Sequence, residues 1–184
     1  MDDETLRGPG RDIEPDGLSG DTTETAKIDE PLDRFDLEEL LPHLINRAGV
    51  SMANVFQAKL QKDGLTLPMW RVLSALHHSG EQRQIDLAVL TSIEESTLSR
   101  LVSKMVESGL IARRRSDTSN REVSVSLMPR GRELAARYIP VALEFEDAAT
   151  EGISQRDLRT MRRSLRRIHA NLNRLEGRRG GNLR

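Results

Sequence analysis

Apolar positions recur at three- and four-residue steps through most of this chain, and the places where that period breaks mark its elements. From about Asp36 to Gln61, residues Leu37, Leu40, Leu41, Leu44, Ile45, Ala48, Met52, Val55 and Phe56 share one side. This predicts a long first helix with Pro42 near its start. A second helix is predicted from Thr66 to Ser79, with Thr66 as its cap, Pro68 in its first turn and Gly80 as its stop. Gln84 to Thr91 is a short helical run with Ile85, Leu87, Ala88 and Leu90 apolar. After a tight turn, Leu98, Leu101, Val102, Met105 and Val106 form the stripe of a further helix that Gly109 ends. Ser92 is placed to cap it, with Glu95 completing a capping box. The period then changes to two: Leu110 to Arg114 and Glu122 to Leu127 read as strands around the turn formers Ser116 to Asn120. Helices resume from Pro129 to Glu151 and again past Gly152. There Leu158, Met161, Leu165, Ile168, Leu172 and Leu175 keep a heptad seam for nearly three heptads, narrower than the face of a fully buried helix.

The helix that ends at Gly109 has an informative outer face. It carries Ser96, Arg100, Ser103 and Lys104, with Thr97 and Ser99 on its flanks. Short donors and long cations are what a helix needs to touch base edges and phosphates in a major groove. Taken alone, those residues fit an ordinary solvated face slightly better. The short helix just before it makes the pair a helix-turn-helix, and the hairpin that follows, opened by Arg113-Arg114-Arg115 and with Arg121 near its tip, adds a basic wing.

With these elements in place the chain resembles the MarR (multiple-antibiotic-resistance regulator) family of dimeric winged-helix transcription factors. The resemblance rests on Leu65 to Leu73, Gln84 to Ala88, Ser96 to Val102, Gly109-Leu110-Ile111 and the wing, and covers roughly residues 36 to 175. Two positions depart from the family pattern. Its usual Asp-x-Arg in the wing is Ser119-Asn120-Arg121 here, and its Leu-Thr after the second strand is Leu127-Met128, followed by Pro129. The resemblance implies a mainly α fold with a small β-wing, a winged helix-turn-helix flanked by N- and C-terminal dimerisation helices. It also implies DNA contacts from Gln84, Ser96, Thr97, Ser99, Arg100, Ser103, Lys104, Arg113, Arg114, Arg115, Asn120 and Arg121. Members of the family commonly release DNA on binding aromatic carboxylates, phenols or acyl-coenzyme A thioesters beside the dimerisation helices. By the same resemblance His43, Asn46, Arg47 and Trp70 are the expected ligand-binding residues. An arginine there pairs with a carboxylate and an imidazole donates to a phenol, whereas the bland alternative leaves His43 and Arg47 on the surface and Trp70 in the core.

Composition refines this picture. The formal net charge is -1, but residues 1–40 hold fourteen Asp or Glu against four Lys or Arg, and residues 153–184 hold ten Arg against two acids. The whole-chain charge therefore says little about DNA binding. The expected domains are an acidic arm over 1–33, a first dimerisation helix over 34–62, the DNA-binding domain over 63–131, C-terminal dimerisation helices over 132–176 and a basic flexible tail over 177–184. The arm's few large apolar residues predict disorder, as a solubilising tail or as a competitor with DNA for the basic surface. The chain has no cysteine, which excludes disulfides and thiolate–metal sites. Its four histidines do not sit at metal-ligand spacing, and no catalytic constellation is visible, so neither a metal, a cofactor nor an enzyme activity is expected. The lack of a membrane-length apolar run and of a signal sequence points to the cytoplasm. The expected function is a homodimeric repressor that binds a pseudo-palindromic operator and is released by a small aromatic or anionic ligand. The competing readings are a ligand-independent architectural DNA-binding protein and a helical interaction module with a degenerate DNA face.

Overall fold

The computed structural model describes residues 35–115 and 123–181, and the side chains of 35–114 and 123–175. It distinguishes two compact units, Met1–Asn46 and Arg47–Arg184. The expected acidic arm, the wing tip with Asn120 and Arg121, and the last three residues lie outside the described residues. In the first unit the Asp36 carboxylate accepts from the Glu38 N–H at 2.9 Å, and a turn leads into helix α1 (Leu41–Leu60). The helix therefore starts five residues later than the apolar pattern suggests. Pro42 explains this, because it has no N–H to donate and fits best within a first turn.

In the second unit α1 ends in a short 3-10 turn (Gln61–Asp63), and Gly64 reverses the chain at φ 69°. The Gln57 side chain fastens the connection: its carbonyl accepts from the Leu67 N–H at 2.7 Å and its amide donates to the Leu65 carbonyl at 3.2 Å. Helix α2 (Leu67–Ser79) is capped by Thr66 and stopped by Gly80, as its sequence predicts. A two-residue strand β1 (Gln82–Arg83), too short to register as a period, leads into α3 (Gln84–Thr91) and α4 (Glu95–Glu107). The hairpin follows as β2 (Ile111–Arg115) and β3 (Val123–Leu127), then α5 (Pro129–Ala149) and α6 (Gln155–Gly181). The sheet is antiparallel in the order β1-β3-β2. Helix α6 continues to Gly181, into the stretch expected to be a flexible tail. Its last described side chains, arginine and leucine, are good helix formers, and no proline interrupts the run.

The core is aliphatic. Leu60, Val72, Leu73, Leu87, Leu98, Val102, Met105, Ile111 and Val125 are almost wholly removed from water. They come from the inward stripes of α1 to α4 and the buried faces of β2 and β3, so the helix-turn-helix and the wing share one interior. A cluster of rings sits at its edge: Phe56 lies 5.7 Å from Trp70 and 5.4 Å from Phe145 between ring centres. The phenol of Tyr138 donates to the Asp63 carboxylate at 2.9 Å, and Arg137 pairs with the same carboxylate at 3.1 Å. Hydrogen bonds from Tyr138 and Arg137 lower the Asp63 pKa, while burial and the neighbouring carboxylate raise that of Tyr138.

The start of α5 is pressed against the chain just past α4. The Met128 N–H donates to the Leu110 carbonyl at 3.0 Å, and a Cβ added to Gly131 would lie 2.0 Å from that same oxygen. Only glycine fits there, and the obstacle is backbone rather than a side chain that can swing away. Gly131→Ala should lower stability by about 1–3 kcal/mol, the usual cost of overpacking. Urea unfolding of the two proteins measures the difference, and equal midpoints would show that α5 yields without strain.

Candidate nucleic-acid interface and effector cavity

Helix α4 is positioned by its cap. The sequence suggests Ser92 for this role, but Ser92 is taken by the turn before it. At φ 52° it closes α3, and its N–H bonds back to the Ala88 and Val89 carbonyls. Glu94 is the N-cap instead. Its carboxylate accepts from the N–H groups of Ser96 and Thr97, each at 3.0 Å, and from the Ser96 hydroxyl. These bonds, the Ser96 hydroxyl first, hold its pKa down at about 2 against an ordinary value of 4.5. A group whose folded pKa is depressed contributes its stability in full above the ordinary value and loses it as pH falls toward the folded one. Glu94→Gln should thus be less stable than the parent at neutral pH, with the gap closing between pH 4.5 and about 2. Thermal melts across that window test this, and a gap independent of pH would show that the charge is irrelevant to the cap.

The cap sorts the expected contacts on α4. Ser96 gives its proton to Glu94, and Ser103 gives its own to the Ser99 carbonyl at 3.1 Å. The exposed Thr97 side chain also lies against the Glu94 carboxylate, whereas the exposed side chains of Arg100 and Lys104 have no partner among the described residues. The half-buried Ser99 hydroxyl is equally unengaged there. Gln84, at the first residue of α3, is half-buried and its amide oxygen is enclosed with no donor among the described residues. On β2 the arginine run divides, because side chains alternate across a strand. Arg113 lies opposite Val125 and shares its face. Arg114, opposite Ser124, turns to the other face and lines a groove of about 560 Å³ with His77, Glu81 and Arg132. The sequence reading treats the arginine run as one patch, although strand alternation divides Arg113 from Arg114.

A second feature is an apolar cavity of about 450 Å³ where α1, α2, α5 and α6 converge. Its walls include Met52, Phe56, Trp70, Phe145, Leu158 and Met161, and Arg71, Glu146 and Arg162 stand among them. Arg162 is engaged with Glu146 at 2.6 Å, whereas the exposed guanidinium of Arg71 has no partner among the described residues. Of the expected ligand residues, Trp70 is both a wall of this cavity and part of the ring cluster. Arg47 is exposed on α1 and is not among the lining residues, and His43 and Asn46 occupy the same helix, half-buried and exposed respectively. The sequence reading missed Arg71, whose signal is its place beside Trp70 in the first half of α2.

A family model described as "MarR family" matches residues 65–123, the span from the start of α2 to the start of β3. The HTH-type transcriptional repressor Rv2887 of Mycobacterium tuberculosis is 32% identical over 97 residues, which cover 53% of this chain and 70% of that repressor. The chain belongs to the MarR family. A MarR family transcriptional regulator from Silicibacter pomeroyi matches it in structure with a TM-score of 0.66 and 30% identity, over 73% of this chain and 90% of that one. Bordetella bronchiseptica BpsR, whose DNA binding is regulated by 6-hydroxynicotinic acid, matches with a TM-score of 0.64 and 25% identity, over 70% and 97% of the two chains. The protein is thus a DNA-binding transcriptional repressor of the winged-helix type, and members of the MarR family are not enzymes. Among the described residues no helix is long and apolar enough to cross a membrane.

Proposed function

We propose that this MarR repressor works as a homodimer on a pseudo-palindromic operator and leaves it when a small aromatic acid, or its coenzyme A thioester, fills the cavity between α1, α2, α5 and α6. In this reading Thr97, Ser99, Arg100 and Lys104 read the major groove, with Gln84, Ser96 and Ser103 at its margins. Arg113, Arg114 and Arg115 approach the phosphates, and Arg121, beside Asn120, enters the minor groove. The observation that carries the ligand is the cavity itself. Its apolar walls suit a ring, and the unpaired Arg71 at its edge suits a carboxylate. BpsR, which answers to a hydroxylated pyridine carboxylic acid, supports the same ligand class. A ligand acts only through its difference in affinity between the DNA-competent and DNA-incompetent forms, and a cavity bounded by four helices offers that difference when their spacing changes.

Two cations compete for the carboxylate, Arg71 in the cavity wall and Arg47 on α1 with His43 and Asn46 nearby in sequence. Calorimetry of the full chain with a panel of aromatic acids and their thioesters tests the reading. A bound acid should lose about one to two orders of magnitude in affinity in Arg71→Ala, the range for a hydrogen bond to a charged group. Operator affinity should be unchanged, and Arg47→Ala should be the milder of the two. Failure of every acid to bind would remove the effector and leave an architectural DNA-binding protein as the better description.

A further inference from the structure

The described part of α6 carries a second polar pattern outside the expected operator contacts. Arg156, Arg159, Arg163, Arg166, Arg167 and Arg174 recur at three-, four- and seven-residue steps, on the side of the helix opposite Met161, Leu165, Ile168 and Leu172. All six are exposed. Arg174 bonds to the neighbouring Asn171 side chain, and the other five have no ion-pair or hydrogen-bond partner among the described residues. The acid at the start of the helix, Asp157, is taken up by Ser154 at 2.7 Å, and Glu146 by Arg162, which lies on the cavity side of the stripe. At 1.5 Å per residue the stripe is about 27 Å long.

We infer that this arginine stripe is a second docking surface for duplex DNA, held through its phosphates without regard to sequence. A row of like charges with no carboxylates interleaved is mildly self-repelling and complements a polyanion laid along it, and about 27 Å matches roughly eight base pairs of duplex. The helix has no Phe, Tyr or Trp on which unstacked bases would rest, so the surface suits a duplex backbone better than a single strand. Because the stripe and the apolar seam lie on opposite sides of α6, covering the seam leaves the stripe open. None of these arginines belongs to the expected operator contacts on α3, α4 and the hairpin. One repressor can thus hold its operator and a second DNA segment at the same time, which is the geometry of a loop or a bridge.

A bridging experiment on the full chain tests this. Labelled operator duplex, saturated with protein, is passed over an immobilised non-operator duplex of about 20 base pairs, longer than the stripe can span. The parent protein should retain the operator at about 50 mM salt and release it by about 200 mM. In the variant carrying Arg159→Ala, Arg163→Ala and Arg166→Ala, capture should fall at least tenfold. The logarithmic salt slope for the second duplex should shrink by about 0.9 for each contact removed. Operator affinity, measured separately in solution, should stay within about twofold, so that a failure of operator binding itself is distinguishable. Capture undiminished in the variant, or no capture by the parent, would overturn the inference. Tighter retention on an acidic peptide than on DNA of equal charge would do the same, by assigning the stripe to a protein partner.

Discussion

Leu172→Glu combined with Leu175→Glu should turn the protein into a monomer and strip it of tight operator binding. These two leucines continue the α6 seam past the cavity and are 52% and 55% exposed in the single chain. Neither belongs to the buried core, so their replacement leaves the winged interior as it is. In the proposed homodimer two copies would bring four such side chains to a shared surface. At about 1 kcal/mol for each half-exposed leucine covered, the variant loses on the order of 4 kcal/mol of association, about a thousandfold in the dissociation constant. Half-sites held one helical turn apart must be engaged together, so operator affinity should fall with it. Analytical ultracentrifugation at micromolar concentration reads the first effect and a binding titration the second. A variant that remains dimeric would move the interface away from this end of α6.

Arg100→Ala should have the largest effect of any single change on the reading face. Its guanidinium is exposed near the middle of α4, opposite the buried Leu98, Val102 and Met105, and is unpartnered among the described residues. A bidentate arginine–guanine contact is worth about 1–3 kcal/mol, so affinity should drop roughly five- to 150-fold per half-site and base preference should relax at one position. A phosphate contact alone would instead weaken all sequences alike and reduce the salt slope by about one. Titration against a panel of single-base operator variants separates the two, and unchanged affinity and preference would take Arg100 out of the interface.

Helix periodicity made most of this fold legible. Where one face is buried and the run exceeds two turns, as in α2 and α4, the stripe of apolar residues is the signal itself. The signal failed where backbone chemistry outweighs side-chain pattern. Leu37 and Leu40 keep the period of α1, yet Pro42 and the Asp36 turn decide where the helix begins. Ser92 has the right chemistry for a cap, but its left-handed backbone is committed to ending α3, and a glutamate takes the place. The placement of the candidate site residues in the fold was legible to the same degree. Residues on the outer side of α4 follow from the buried side by subtraction. The opposite faces of Arg113 and Arg114 follow from strand alternation, but which of them shares the face of the buried Val125 needs the register, and the meeting of Trp70, Arg71 and Arg162 needs α2 and α6 brought together.

The contact between Gly131 and the Leu110 carbonyl has a mechanical consequence. Leu110 follows Gly109, which ends α4, and precedes β2, so the root of the reading helix and the root of the wing meet at one peptide group. That group is bonded to Met128 and backed by the first turn of α5 with no room to spare. A tilt of α5 would meet backbone there rather than a yielding side chain, and so would press on the root of the helix and of the wing. The far half of α5, at Ala142, Phe145 and Glu146, forms a wall of the cavity. On the proposed reading the helix would be a lever, its long arm moved by whatever fills the cavity and its short arm turning the DNA-reading elements.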